Sequence, residues 1–230
     1  MKDDAHPRSM KAMSRVGAGP AVAGHLPARK GLREITYGAF AGSVKWLEEC
    51  FSAHVRLFRW YGDFFYGKVL DRELGMIEIE PRARVLHIGM GALPYTACYL
   101  ARRGFRVHAI DHDGRVLAPA RHLVRASGVA DRVTVIKQDG LQVDPAPYDA
   151  IWISLHVCRK QEILERLVRN AGRDRWIVYR EPRGWLRRLY PSGGGSAVEL
   201  AAKRRVAVHR LSKESVAIHV SGGVKDERSI

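Results

Sequence analysis

Arg84-Val-Leu-His-Ile-Gly-Met-Gly-Ala-Leu-Pro-Tyr-Thr-Ala-Cys-Tyr-Leu-Ala-Arg-Arg-Gly-Phe-Arg-Val-His-Ala-Ile-Asp111 is the stretch on which the fold turns. It reads as an apolar strand, a glycine turn, a helix, and a second strand closed by an acid. Gly89 and Gly91 let the backbone turn sharply and come close to a ligand, as a side chain there would not. The helix that follows points unpaired N–H groups toward the turn. Asp111 lies 22 residues past Gly89, close to the spacing at which a carboxylate meets ribose hydroxyls.

A dinucleotide fingerprint carries a third glycine where this chain has Pro94. Proline suits the first turn of a helix, where its missing N–H goes unused. The helix can therefore start there, but the tight pyrophosphate packing of a dinucleotide site is disfavoured. An adenosine-type ligand without pyrophosphate, above all S-adenosylmethionine, fits better.

Working outward, strand and helix alternate, the pattern of a doubly wound parallel sheet. Strands are expected at 83–88, 106–111, 132–137, 149–155 and 175–180, with helices near 94–103, 114–127 and 160–171. A last helix at about 195–203 leads to strands at 204–211 and 215–221, joined through 212–214 as a hairpin. The fold class is α/β: a Rossmann-like, mostly parallel sheet of the class I methyltransferase kind with a C-terminal antiparallel hairpin, plus N-terminal helices. The boundaries follow as a basic disordered lead at 1–30, a helical cap at 31–78, the cofactor-binding domain at 79–222 and a tail at 223–230.

In such a sheet the ligand sits beyond the carboxyl ends of the strands. The first strand delivers His87, Gly89, Gly91 and Leu93, leading into Pro94 and Thr96. The second delivers Asp111, with His112 and Asp113 beside it. The third ends at Asp139-Gly140, where a carboxylate can accept from an adenine amino group. The fourth ends at Leu155-His156-Val157, and the fifth at Arg180-Glu181-Pro182. Asp113, just ahead of a helix, equally fits a capping role. Six arginines between Arg173 and Arg188 face only Asp174 and Glu181, so Arg180 and Arg183 are candidates to clamp a substrate carboxylate or phosphate. Tyr179 and Tyr190 are candidates to orient a substrate amine, and Glu181 to take its proton.

The aromatic stretch before the first strand holds ten of the nineteen aromatic residues, from Tyr37 to Tyr66. Packed helices would use them as core; as a lid they would offer Tyr61 and Tyr66 to a substrate. A membrane-surface patch, suggested by Arg56, Arg59 and Lys68, ranks below both.

At 230 residues with 46% hydrophobic content, one sizeable core is expected. The net charge of +15 suits acidic partners: nucleic acid, anionic lipid, or small carboxylates and phosphates. Cys50, Cys98 and Cys158 have no paired spacing, which excludes a disulfide framework or a cysteine zinc cluster and suits a reducing cytoplasm. No metal site is expected from the ten histidines. No run of 18 apolar residues suggests a membrane span, and the start lacks the apolar stretch of a secretory signal. The sequence leaves a homodimer open.

Gly89-Met-Gly-Ala-Leu-Pro-Tyr-Thr96 resembles the cofactor loop of nicotianamine synthases and the related bacterial opine-metallophore synthases, which carry Gly-x-Gly-x-Leu-Pro-x-Thr. Common methyltransferases place an acid two residues before the first glycine; here that position is His87, and the nicotianamine synthase-like enzymes lack the acid too. Trp185-Leu-Arg-Arg-Leu-Tyr-Pro191 is similar to a stretch of the same family. The resemblance implies S-adenosylmethionine as cofactor, its amino-acid end near Gly89, Gly91, Leu93, Pro94 and Thr96, its ribose on Asp111 and its adenine on Asp139. It also implies transfer of the 3-amino-3-carboxypropyl arm to a small amine. Trp60-Tyr-Gly-Asp-Phe-Phe-Tyr-Gly-Lys-Val-Leu-Asp71 is similar to the pre-core helix of small-molecule and phospholipid N-methyltransferases, so methyl transfer stays beside it as an alternative. A non-catalytic, basic nucleic-acid-binding module on this fold is the third reading. The chain lacks the Asn-Pro-Pro-Tyr-like tetrapeptide of base-amine methylating enzymes after the fourth strand, which disfavours nucleic acid as substrate.

Overall fold

The computed structural model describes residues 62–170, 172, 174–188, 203–209 and 213–221. Seven strands form one sheet in the order β3-β2-β1-β4-β5-β7-β6. They are β1 (Arg84–Ile88), β2 (Arg106–Asp111), β3 (Val133–Lys137), β4 (Ala150–Ile153), β5 (Arg175–Pro182), β6 (Lys203–His209) and β7 (Lys213–Val220). The pairs among β1 to β5 are parallel; β7 runs antiparallel between β5 and β6. The mostly parallel sheet and its C-terminal hairpin are thus as expected. The bounds of each observed strand fall within two residues of the expected ones wherever both ends are described.

The central strands β1, β2, β4 and β5 are legible because both of their faces are covered. Val85, Val107, Ala150, Trp152, Trp176 and Val178 point to one face, where they pack under α1 (Lys68–Gly75), α2 (Tyr95–Arg102) and α3 (Leu117–Ala126). Leu86, Ile88, Ile110, Ile151, Ile153 and Ile177 point to the other, under α4 (Lys160–Arg169). A strand buried on both sides must be apolar throughout, so it reads as a continuous Val/Ile/Leu run. A π-helical turn, Asp63–Gly67, precedes α1. Among the described residues no helix is long and apolar enough to cross a membrane.

Pro94 occupies the N-cap of α2 rather than its first helical position, and Tyr95 opens the helix. Asp113 accepts from the Arg115 N–H at 3.0 Å, the capping role the sequence suggested. The lead at 1–30, most of the 31–78 cap, the 223–230 tail, and Tyr61 and Tyr190 lie outside the described residues. So does the expected helix at about 195–203, except that Lys203 opens β6.

Candidate functional site

Strand order reverses between β1 and β4, and a cleft of about 500 Å³ opens beyond their carboxyl ends. That is where open α/β sheets bind ligands, and the volume suits a small-molecule cofactor. The glycine loop forms one wall. Gly89 has φ +76°, and a Cβ there would stand 2.3 Å from Val157 Cγ2, so only glycine fits. Its N–H donates to the Ile110 carbonyl at 3.0 Å, and the Met90 N–H to the same oxygen at 3.2 Å. The loop is thereby fastened to the end of β2.

Asp111 continues that fastening. One carboxylate oxygen accepts from the Gly91 N–H and the other from the Asp113 N–H, both at 3.0 Å. His112 Nδ1 stands 3.4 Å from the carboxylate. Asp139 accepts from the Leu141 N–H at 2.9 Å, capping the turn Gly140–Gln142. Both acids line the cleft while they brace its loops. Each carboxylate oxygen has two acceptor positions, so bracing leaves capacity for a ligand hydroxyl or amine.

Of the residues expected on the cofactor side, His87, Gly89, Gly91, Leu93, Thr96, Asp111, His112, Asp139, Gly140 and Leu155 all line this cleft. Pro94 does not; it acts through the backbone, its carbonyl accepting from the Cys98 N–H at 3.0 Å. Tyr66 lines the cleft with its ring beneath two cations, 5.4 Å from Arg180 and 5.5 Å from Lys213.

The expected catalytic and clamping residues require correction. Arg180 does make a bidentate carboxylate clamp, but on the protein's own Glu73, with Nε to Oε1 at 2.8 Å and Nη2 to Oε2 at 2.9 Å. Its Nη1 donates to Thr96 Oγ1 at 3.2 Å, so the guanidinium reaches the cleft already engaged. Tyr179 and Glu181 alternate with Arg180 along β5 and do not line the cleft. Tyr179 is 1% exposed within the α4-side core, and burial pushes its hydroxyl well above the usual phenol range. Glu181 is buried near Lys160, opposing the downward shift that burial imposes on that lysine, which stands at about 8. Arg183 lies outside the cleft, 3.4 Å from Glu214.

The structure adds a group that sequence reading passed over. Glu73 on α1 is fully buried and accepts four hydrogen bonds: two from Arg180, one from Trp152 Nε1 at 3.1 Å, and one from Ser215 Oγ. Ser215 Oγ lies in turn 2.8 Å from His209 Nε2, and His209 lines the cleft. Burial alone would raise the Glu73 pKa, but Arg180, with help from Ser215 and His209, holds it below the ordinary carboxylate range. One signal was available: Glu73 falls three residues from both Leu70 and Met76, on the buried stripe of an amphipathic helix.

His87 is 2% exposed, its Nε2 lies 2.9 Å from Ser154 Oγ, and its Nδ1 has no partner among the described residues. Burial, reinforced by the Arg180 charge, lowers its pKa from 6.5 to about 3. The imidazole of the unfolded chain binds a proton below 6.5 and the folded one only near 3, so unfolding takes up a proton in that window. Acid must therefore destabilise the protein through His87, by about 1.4 kcal/mol per pH unit at most. In urea titrations at pH 6.5 and 4.5, His87→Leu should lose markedly less stability between the two than wild type. Equal losses would place the acid sensitivity elsewhere.

Residues 68–170 match the family model of protein-L-isoaspartate (D-aspartate) O-methyltransferase. The chain is 33% identical over 121 residues to L-histidine 2-aminobutanoyltransferase of Yersinia pestis, covering 52% of this chain and 45% of that protein. It is also 33% identical over 97 residues to protein-L-isoaspartate O-methyltransferase of Methylorubrum populi, covering 42% and 45%. The chain thus spans about half the length of these relatives. A mutant of the nicotianamine synthase MtNAS, solved with S-adenosylmethionine, superposes with a TM-score of 0.70 at 19% identity, covering 82% of this chain and 77% of that one. The chain has the class I S-adenosylmethionine-dependent methyltransferase-like fold.

Proposed function

We propose that this chain is an S-adenosylmethionine-dependent transferase that moves the 3-amino-3-carboxypropyl group onto a small amine. The observation that carries the reading is the cleft itself. It joins a glycine loop, two acidic strand tips and a basic, histidine-bearing wall at the switch point of the sheet. The residues fit the cofactor. Gly89 and Gly91 leave room for close approach, Asp111 has acceptor capacity for ribose hydroxyls, and Asp139 for the adenine amine. His87 stands where common methyltransferases place an acid, and its pKa of about 3 keeps it uncharged at neutral pH. Bound there, the cofactor supplies a sulfonium whose adjacent carbons are open to displacement.

Two features favour the aminocarboxypropyl arm over methyl. The loop departs from the three-glycine form by Leu93-Pro94, as in nicotianamine synthases. The far wall carries Lys213 beside the Glu73-paired Arg180 and His209, and the lysine offers a cation to a carboxylate-bearing acceptor. Displacement at a sulfonium needs alignment and a neutral amine more than strong acid catalysis. The protein's task is therefore to orient both partners, exclude water and remove one proton.

Methyl transfer is the second reading, favoured by the family model over 68–170 and by the Methylorubrum relative. Product analysis separates the two. After incubation with S-adenosylmethionine and candidate amino acids, mass spectrometry should find methylthioadenosine with an acceptor enlarged by the aminocarboxypropyl group. S-adenosylhomocysteine as the main product would establish methyl transfer instead. Calorimetry showing no cofactor binding at millimolar concentration would leave the nucleic-acid-binding reading, which the net charge of +15 keeps physically sensible.

A further inference from the structure

The Glu73–Ser215–His209 chain has only one consistent arrangement of protons. Glu73 is held ionised and can only accept. The single Ser215 proton therefore points to Glu73, which leaves Ser215 Oγ as the acceptor toward His209 Nε2. Neutral His209 must then carry its proton on Nε2, and Nδ1 keeps a bare lone pair. That Nδ1 is buried and has no partner among the described residues, and His209 lines the cleft beside Arg180, Lys213 and Tyr66.

We propose that His209 is the general base of the transfer, its Nδ1 taking the proton of the acceptor amine and its tautomer set by Ser215 and Glu73. This rests on the transferase reading above and assigns the proton that reading leaves over. The amine lone pair forms the new N–C bond as the C–S bond breaks, with the C–S pair passing to sulfur. The proton of the resulting ammonium moves to Nδ1. The imidazolium then donates through Nε2 to Ser215, whose own proton stays directed at the Glu73 carboxylate. That carboxylate balances the positive charge without being consumed. Glu73 cannot itself be the base, because all four of its acceptor positions are filled by protein donors.

The charges around the ring suit this role. Burial lowers the His209 pKa, Glu73 opposes, and Arg180, Arg72 and Lys213 lower it further, so the net shift is downward from 6.5. The imidazole is accordingly neutral and available at pH 7. A base with a pKa near or below the working pH holds a transient proton only weakly and gives it up after each turnover.

The test has a structural and a kinetic arm. In the ligand-free protein, two-bond nitrogen–proton spectra should show His209 as the Nε2–H tautomer, with the resonance identified by its loss in His209→Gln. A proton on Nδ1 in the wild type would overturn the proposal. Glutamine keeps an N–H for Ser215 but offers no base, so kcat should fall by about 10²- to 10⁴-fold. The cofactor Kd, read by calorimetry, should change less than about threefold, since the proposed ribose and adenine contacts lie on other strands. Turnover within threefold of wild type would also overturn it. If glutamine unfolds the chain, Ser215→Ala is the second variant: His209 should shift toward the Nδ1–H form and kcat should drop with it, while an unchanged tautomer counts against the proposal. Failure of the wild type to bind S-adenosylmethionine or to release methylthioadenosine would instead overturn the transferase reading, whatever the tautomer.

Discussion

Glu73→Ala should remove about 3–5 kcal/mol of folding stability, the cost of leaving a buried charge unpaired. Its carboxylate is fully buried, and the Arg180 side chain that it neutralises is 7% exposed. Alanine would strand that guanidinium together with Trp152 Nε1 and Ser215 Oγ, each cut off from water. Domains of this kind are stable by only about 5–15 kcal/mol, so the loss is a large share of the total. In thermal melts it should lower Tm by roughly 10 °C. Urea unfolding gives the clean comparison, with a shifted midpoint and an unchanged slope. Replacing both partners, as Glu73→Leu with Arg180→Met, should cost clearly less than Glu73→Ala alone, because no charge is then left without a partner. A Glu73→Ala loss below about 1 kcal/mol would show that water reaches the group and that the network does not anchor α1 to the sheet.

The same network shows why some of the site was legible in the sequence and some was not. Asp111 and Asp139 stand out because one ends β2 and the other follows β3 by two residues, and strand ends converge on one edge in any parallel sheet. Their placement needs no knowledge of distant partners. Glu73 and Arg180 are 107 residues apart, and Glu73 and Ser215 are 142 apart. They meet because β7 returns antiparallel beside β5 and lays Ser215 opposite Arg180. No local spacing encodes that return. The misreading of Arg180 has the same origin: its bidentate geometry was anticipated, but an internal carboxylate takes the place expected for a substrate. For Tyr179 and Glu181 the cause is strand alternation, which sends neighbours of a cleft-facing residue to the opposite face.

His209 and His87 are a related pair. Each is buried on the cleft, each has Nε2 near a serine hydroxyl, and each has an Nδ1 without a partner among the described residues. They differ in what stands behind the serine. Behind Ser215 is an ionised carboxylate that dictates the tautomer; behind Ser154 no carboxylate stands among the described residues. Only His209 is therefore prepared to hold a proton, whereas His87 supplies an uncharged polar contact beside the glycine loop. The division follows from one hydrogen bond, which makes Ser215→Ala more informative than changing either imidazole.

Asp111→Ala should weaken S-adenosylmethionine binding by about 1.5–3 kcal/mol, the worth of hydrogen bonds to a charged group, or roughly 10- to 150-fold in Kd. Two losses combine in that figure. The ribose would lose the carboxylate acceptor proposed for it, and the loop loses the bonds from the Gly91 and Asp113 amides at 3.0 Å. Asparagine divides them: its one carbonyl oxygen can hold one of the two amides, but it carries no charge and turns a donor toward the other. Asp111→Asn should accordingly bind more weakly than wild type and more tightly than alanine. Calorimetry measures all three, and thermal melts run without cofactor report the loop contribution alone. If alanine binds within about threefold of wild type, Asp111 serves the loop and not the ribose. The cofactor would then have to reach its diol contacts from another side of the cleft.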